Sequence, residues 1–540
     1  MMSLQYWSAR STRPALRKAL PYFVVAVCAG LYLYPFMRVP MLGTDEGNLV
    51  CGATRVAEGQ LPYRDFFEVV GPGTFYWLAL FFKILGTTWF ATRVSVILTS
   101  VATIMLMYYL SRRLQTGFEI VPPILFVATS FGLLGPSISH HADSNLSALL
   151  SFAALLSWSD NRRNAMLFLA GVGAGLTTCF MQPKGILLFL SFLAVLWSLS
   201  REKRKVGSSV AWLSAGYVAV GLCVLTVFGA AGALPDLFTA NVVWPLTRYG
   251  DTNSISYATG LVAFYWTRWT TPLISQFGAF FGWTAGGVLI LPHFFTAALP
   301  LLLAALVLRR RREAFSRLTA PYWIAGSAIW LSEIHRPDIM HLVYGSPLLV
   351  ILFFYLYGQL RSRWTIQTLQ LLTLCTIALA GFNCLIVLTA QTKTVTRRGA
   401  VRTFGDNLVL GFLQAHTKPG DDIFAYPYGP MYYFLAAANN PTRFSSLLYD
   451  MNTDGQFLEA VRRLEERKVR YVIWDTTLEN ESVKWAFPRN WAFRRKNQIV
   501  EPYLLEHYHI LRYTNGVRIL ERNEPAADSV ATPTLPPAER

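Results

Sequence analysis

Residues 43–73 read GTDEGNLVCGATRVAEGQLPYRDFFEVVGPG and follow an apolar run at about 20–37. Two adjacent carboxylates, Asp45 and Glu46, thus stand where a membrane helix would meet water. Acids are costly inside a bilayer and mark function when they sit at its edge. The rest of the chain decides which face of the membrane this pair occupies and what surrounds it.

The chain has 540 residues, of which 53% are hydrophobic and 15% charged. A soluble protein would carry about 25% charged residues. Apolar runs recur along the chain, each long enough for a hydrocarbon core of about 30 Å. These place it among α-helical polytopic membrane proteins. We place spans at about 20–37, 91–111, 118–136, 142–159, 164–181, 184–200, 208–232, 286–308, 319–334, 342–360 and 365–390. The basic stretch Arg10, Arg13, Arg17 and Lys18 precedes the first run like a signal peptide. No small-residue cleavage site follows, so the run reads as a retained anchor.

Basic residues fall in every second loop: Arg112-Arg113, Arg162-Arg163, Arg201 to Lys205, Arg309 to Arg312, and Arg361 with Arg363. The positive-inside rule assigns these loops and the N-terminus to the cytoplasm, and eleven crossings leave the C-terminus outside. The net charge of +17 is largely this orientation signal. Because the basic residues are dispersed at helix ends, a nucleic-acid partner is not expected. Neither a Walker loop nor a Gly-x-Gly-x-x-Gly turn appears, which argues against a nucleoside triphosphate or dinucleotide. The six cysteines show no CxxC spacing or disulfide framework.

The opposite loops hold the polar chemistry: 38–90, Ser139 to Asp143, Met181 to Gly185, 233–285, Glu333 to His341, and everything after 390. Polar groups gathered at one interface suit an active site at the outer membrane–water boundary better than a path through the bilayer. Within the first outer loop, 48–58 has a helical pattern ending at Gly59, and Gly71-Pro72-Gly73 is a turn. Residues 74–86 form a short apolar helix suited to the interface, with Tyr76 and Trp77 at headgroup depth. Arg93 opens the second crossing.

A first-loop Asp-Glu, a helix, the segment Pro62-Tyr63-Arg64-Asp65-Phe66, a Gly-Pro turn, an aromatic helix ending Leu85-Gly86, and Ala91-Thr92-Arg93 follow in order. This succession resembles the type C (GT-C) membrane glycosyltransferases, closest to the bacterial dolichyl-phosphate-mannose-protein mannosyltransferase-like and aminoarabinose-transferase-like branch. In topology the resemblance covers about residues 15–390; at motif level it is concentrated in 43–93. It implies an inverting enzyme that takes a hexosyl or pentosyl group from a polyprenyl-phosphate carrier on the non-cytoplasmic face. Many relatives have Lys-Pro-Pro-Leu where this chain has Val70-Gly71-Pro72-Gly73, so a lysine that helps hold the carrier phosphate is missing.

Such a transfer needs a base for the acceptor hydroxyl and cationic stabilisation of the departing phosphate. Asp45 matches the family's first-loop aspartate and is the candidate base, with Glu46 an auxiliary acid; both also suit a helix N-terminus. Arg64, Lys184 and Arg336 are candidate phosphate or donor contacts. Lys184 equally fits an interfacial snorkelling lysine. Asp65, His140, His141, Asp143, Asp338 and His341 are candidate acceptor or supporting groups. The histidines and Asp143 lack a recognised zinc spacing, so a divalent cation is a candidate cofactor without an assigned site. The long outer loop 233–285, with Trp244, Arg248, Tyr249, Asp251, Trp266 and Arg268, reads as a membrane-lying cover over a lipid-admitting cleft.

After 390 the pattern changes. A strand at 420–426, helices at 431–438 and 455–468, a strand at 469–474, and strands near 508–513 and 517–521 describe a small α/β extracytoplasmic domain over 391–522. A Pro/Ala-rich disordered tail, 523–540, follows the catalytic module 1–390 and this domain. Tyr426-Pro427, Pro430, the Tyr433-Phe434-Leu435 run and Asn440-Pro441-Thr442-Arg443 resemble the C-terminal extension of bacterial relatives. That part is expected to recognise the acceptor or pack on the first loop, with catalysis elsewhere. The expected partners are a polyprenyl-phosphate-linked sugar, a lipid, glycan or protein acceptor, and membrane lipids of a bacterial inner membrane. The alternatives are a lipid-linked glycan transporter or flippase, or a non-catalytic envelope-assembly protein.

Overall fold

The computed structural model describes residues 14–38, 44–115, 117–130, 136–199, 203–249, 255–257, 270–360, 362–389, 392–403, 405–449, 451–477 and 498–523. Residues 524–540 of the expected tail, along with Asp251, Trp266 and Arg268 of the long loop, lie outside them.

Each expected span coincides with a helix or a helix pair. Six helices among the described residues are long and apolar enough to cross a membrane: Ala19–Met37, Trp89–Leu114, Gln182–Leu199, Val206–Ala230, Ala279–Arg309 and Arg363–Leu388. A seventh is Ile339–Gly345 with Pro347–Gly358 if that pair, bent by 69°, counts as one. Of the span expected at 118–136, the described residues form the helix Val121–Ser130, and residues 131–135 lie outside them; the span at 319–334 is Ala320–Glu333. The expected loop 233–285 is helical at its far end, because Thr271–Phe277 and the start of Ala279–Arg309 occupy 271–285.

Local chemistry sets the helix ends. Thr88 Oγ1 accepts from Ala91 N (3.2 Å) to start Trp89–Leu114. Arg112 and Arg113 sit in its last turn, where cations complement the helix dipole. Ser139 starts His140–Asn161 by accepting from His141 N (3.3 Å). Helices Asn164–Phe180 and Lys203–Ala230 touch backbone to backbone. A Cβ at Gly171 would come within 2.0 Å of Leu213 O, and one at Gly216 within 2.1 Å of Phe168 O. In lipid, where burial from water drives no helix pairing, such small-residue contacts hold a bundle together.

The last third has the strands the sequence suggested. A hairpin, β1 (Thr392–Thr396) and β2 (Gly399–Thr403), precedes a four-stranded sheet. That sheet is formed by β3 (Ile423–Tyr426), β4 (Tyr471–Asp475), β5 (Tyr508–Thr514) and β6 (Val517–Arg522), in the order β3-β4-β6-β5. Strands β3 and β4 are parallel, and the other pairs antiparallel. The crossover between the parallel strands carries helix Asp454–Glu466, started by a capping box of Thr453 and Gln456.

This sheet does not sit apart from the first loop. One apolar cluster joins Leu49, Val50 and Ala53 of helix Thr44–Ala57 to Ile423, Phe434, Leu435 and Ile473. The sequence boundary at 390 is therefore crossed by a shared core. Helix Gly73–Leu85 also enters it, burying Phe75, Leu78 and Phe82 while Leu80 and Ile84 stay exposed, the two-sided character expected of an interfacial helix.

Candidate functional site

The first turn of helix Thr44–Ala57 puts its two acids in different surroundings. Asp45 is exposed, while Glu46 is 3% exposed. Glu46 Oε1 meets the Arg93 guanidinium and accepts from Ile138 N (3.0 Å). Arg93 also donates to Pro136 O (3.2 Å), and its guanidinium lies 4.2 Å from the Trp89 ring centroid. The buried pair ties the first loop to the second crossing and to residues 136–138. Glu46 is thus buried and engaged, and holds the ground on which Asp45 stands.

Asp45 Oδ1 accepts from the hydroxyl of Tyr428, a residue of the C-terminal segment. Glu68 lies behind this region, buried, with Arg55 and Ser445 among its neighbours. Burial pushes its carboxyl up to about 8; Arg55 opposes the rise and Asp45 adds to it.

A second polar group forms where three helix ends meet. Lys184, fully buried, lies 2.7 Å from Glu333 Oε1 and donates to Ser144 Oγ (3.0 Å) and Asn145 Oδ1 (2.8 Å). His141 Nδ1 is 2.9 Å from Glu333 Oε2. The His141 ring stacks on Tyr344 (5.5 Å between centroids) and meets His341 edge-on (4.7 Å). Asp338 starts helix Ile339–Gly345 by accepting from Met340 N (3.0 Å) and His341 N (3.1 Å). It also binds His341 Nδ1 (2.8 Å) and Arg336 Nε (3.0 Å). Burial alone would raise the Asp338 carboxyl, but His341 and Arg336 outweigh it and hold it below the usual carboxylate range.

A narrow cleft touches each group through one neighbouring residue. Its walls include Ile138, which touches Glu46, and Tyr344, which stacks on His141, along with Ser95, Thr99 and Asp143. Asp143 Oδ2 accepts from Thr74 Oγ1 (3.0 Å), linking the cleft to the interfacial helix.

Of the sequence candidates, Asp143 lines this cleft, while Asp45 and Glu46 belong to the first group and His141, Arg336, Asp338 and His341 to the second. Lys184 joins them, although its ammonium is taken up by Glu333. The His140 ring adjoins His141 at 4.1 Å. Arg64 and Asp65 pair with each other (2.8 Å), and Arg64 also donates to Ala231 O (3.1 Å). That pairing brackets loop 61–65, where Leu61 N donates to Asp65 Oδ2 (2.7 Å), and leaves the two outside the cleft lining. The glycine at 71 has a steric reason: a Cβ there would stand 2.3 Å from Cys179 O. Sequence reasoning passed over Arg93, Glu333 and Tyr428 as site residues. The first two carried a signal, since Arg93 closes the first-loop motif and Glu333 begins the ionisable run ending at His341.

His141, Glu333 and His341 present ligand atoms within 4.8 Å of one another. Lys184 takes Glu333 Oε1, so a divalent cation at this point would be held by Oε2 together with the two imidazoles.

No family model and no curated protein sequence matches the chain. Solved structures do. ArnT from Cupriavidus metallidurans in the apo state superposes with a TM-score of 0.55 at 12% identity, covering 94% of this chain and 98% of that one. The same protein bound to undecaprenyl phosphate gives 0.52 at 11% identity, with the same coverage. The archaeal oligosaccharyltransferase AglB from Archaeoglobus fulgidus, in complex with an inhibitory peptide and a dolichol-phosphate, gives 0.51 at 13% identity, over 94% of this chain and 75% of that one. At such identities the likeness is one of fold. The chain has the type C (GT-C) membrane glycosyltransferase fold, in the form seen in ArnT, and is a multi-pass membrane protein.

Proposed function

We propose that this protein transfers a sugar from a polyprenyl-phosphate carrier to an acceptor at the non-cytoplasmic face of a bacterial inner membrane. In this reading, eleven crossings leave the N-terminus in the cytoplasm and the α/β segment outside. The observation that carries it is Asp45: an exposed carboxylate on a first helical turn in this fold, backed by the buried Glu46–Arg93 pair and met by the Tyr428 hydroxyl. Structural neighbours in complex with a dolichol-phosphate or bound to undecaprenyl phosphate support a lipid-phosphate donor.

In the proposed step the Asp45 carboxylate takes the acceptor hydroxyl proton as the acceptor oxygen attacks the anomeric carbon. The bond from that carbon to the carrier phosphate oxygen breaks on the opposite side, which inverts the centre. The phosphate leaves as an anion, for which Arg336, oriented by Asp338, is the proposed contact. Glu46 keeps Arg93 and the 136–138 segment in place, and Lys184 with Glu333 keeps the second wall.

The test is Asp45→Asn, assayed with radiolabelled sugars on undecaprenyl phosphate and host membranes as acceptor. The amide keeps the shape but takes up no proton, and loss of a general base costs about a hundredfold or more in rate. Wild-type transfer by this variant would refute the assignment.

A further inference from the structure

Helix Thr44–Ala57 is covered by the segment Tyr428–Leu435, and the contact is closely fitted along its length. Tyr428 gives its hydroxyl hydrogen to Asp45, and Asn48 Nδ2 lies 3.5 Å from the same hydroxyl oxygen. One turn on, the Cys51 thiol donates to Pro430 O (2.9 Å). Between them Gly47 leaves no room: a Cβ there would stand 2.9 Å from both Met431 N and Pro430 Cγ. The covering segment is itself held. Leu447 N donates to Pro427 O (2.8 Å), and the Tyr426 hydroxyl donates to the buried Glu501 (2.8 Å). A second seam runs alongside, where Phe67 N donates to Arg443 O (2.8 Å) and Arg55 reaches Thr442 O (3.4 Å).

We infer that the C-terminal α/β segment completes the active site, with Tyr428 the positioning residue for Asp45. The inference rests on the proposed role of Asp45 as base. A lone carboxylate on an exposed helical turn has free rotation about two side-chain bonds. One hydrogen bond from a nearly buried tyrosine removes that freedom on one oxygen and leaves Oδ2 to face the acceptor. A segment 383 residues away thereby sets the aim of the base, so catalytic competence requires it to be docked.

The test variant is Tyr428→Phe, which keeps the ring and deletes the hydroxyl. The assay uses undecaprenyl phosphate bearing a radiolabelled sugar from a panel of hexoses and pentoses, with host membranes as acceptor. The expected result is a kcat lower by about ten- to a hundredfold, the scale of one hydrogen bond to a charged group. Donor KM and the binding of undecaprenyl phosphate itself stay within about twofold, since the lost contact is made to the base. In an Asp45→Asn background the second substitution should cost nothing further, because its target is gone. Gly47→Ala, which pushes Met431 and Pro430 off the helix, should reproduce the same kcat loss while the protein remains folded. Wild-type kcat in Tyr428→Phe beside an inactive Asp45→Asn would overturn this inference alone. An equal loss in both backgrounds would also overturn it, by showing a merely structural role. Full activity of Asp45→Asn would instead remove the base, and this inference with it.

Discussion

Lys184 has two roles open to it, and one substitution separates them. A lysine that meets the carrier phosphate is needed only when donor binds; a lysine that neutralises Glu333 is needed in every folded molecule. The geometry favours the second. The ammonium and the carboxylate are both fully buried at 2.7 Å, and the ammonium's other two partners are Ser144 and Asn145. Lys184→Met removes the charge and leaves Glu333 with His141 as its remaining basic contact (2.9 Å). Breaking a buried pair in this way costs about 3–5 kcal/mol, because the remaining charge is uncompensated. Lys184→Met combined with Glu333→Gln removes both charges, and the amide can donate to Asn145 or Ser144. The pair should then recover most of the loss, with a coupling of about 2–3 kcal/mol in the cycle. The assay is thermal denaturation in detergent at one fixed scan rate, since unfolding of such a protein is a rate as much as an equilibrium. The expected order of melting temperatures is wild type highest, the double variant next, and either single variant lowest. A Lys184→Met protein that melts with wild type but shows a raised KM for the lipid-phosphate donor would refute this reasoning and return Lys184 to the phosphate.

Two further outcomes follow from buried groups around the first loop. Glu68 has its carboxyl raised from 4.5 to about 8, so its contribution to stability is complete below 4.5 and lost as pH rises through 8. Glu68→Gln should flatten the fall in melting temperature between about pH 5 and 9, an effect of at most about 5 kcal/mol at about 1.4 per pKa unit; identical pH profiles for the two proteins would contradict it. Gly71→Ala forces a methyl to within 2.3 Å of Cys179 O, so the turn must lift off helix Asn164–Phe180. A cost of about 1–3 kcal/mol is expected from such overpacking, read as a lowered melting temperature, and an unchanged one would show that the turn yields freely.

The helices were legible because lipid imposes a pattern that needs no knowledge of neighbours. A run such as Val206–Ala230 is apolar all round, and its ends are marked by Lys203 to Lys205 on one side and Gly232 on the other. The strands of the last third were legible for a similar reason: Tyr471 to Trp474 is a short apolar run after an amphipathic helix. Where the reading went astray, the helix depended on packing. The bend between Ile339–Gly345 and Pro347–Gly358 falls at Ser346 before a proline. A residue before proline is disfavoured in the helical region, a signal present in the sequence but weaker than the hydropathy around it.

The site was legible by membership and illegible by pairing. Sequence placed Asp45, His141, Lys184, Arg336 and Asp338 on one face, and all but Asp45 fall in one polar group linked through Glu333 and His341. It had no means of stating that Glu46 belongs to Arg93, Lys184 to Glu333, or Asp45 to Tyr428, since each partner comes from a different element. Those pairings decide the chemistry. An acid whose charge is met by a buried arginine holds backbone in place, whereas one touched only by a tyrosine hydroxyl keeps its second oxygen for a proton. By that criterion Glu46 and Glu333 are spoken for, and Asp143 is bound by a threonine within the cleft wall. Asp338 serves a helix start and an arginine. Among Asp45, Glu46, Asp143, Glu333 and Asp338, Asp45 alone combines exposure with an uncharged hydrogen-bond partner, which is the condition a general base at an open boundary must meet.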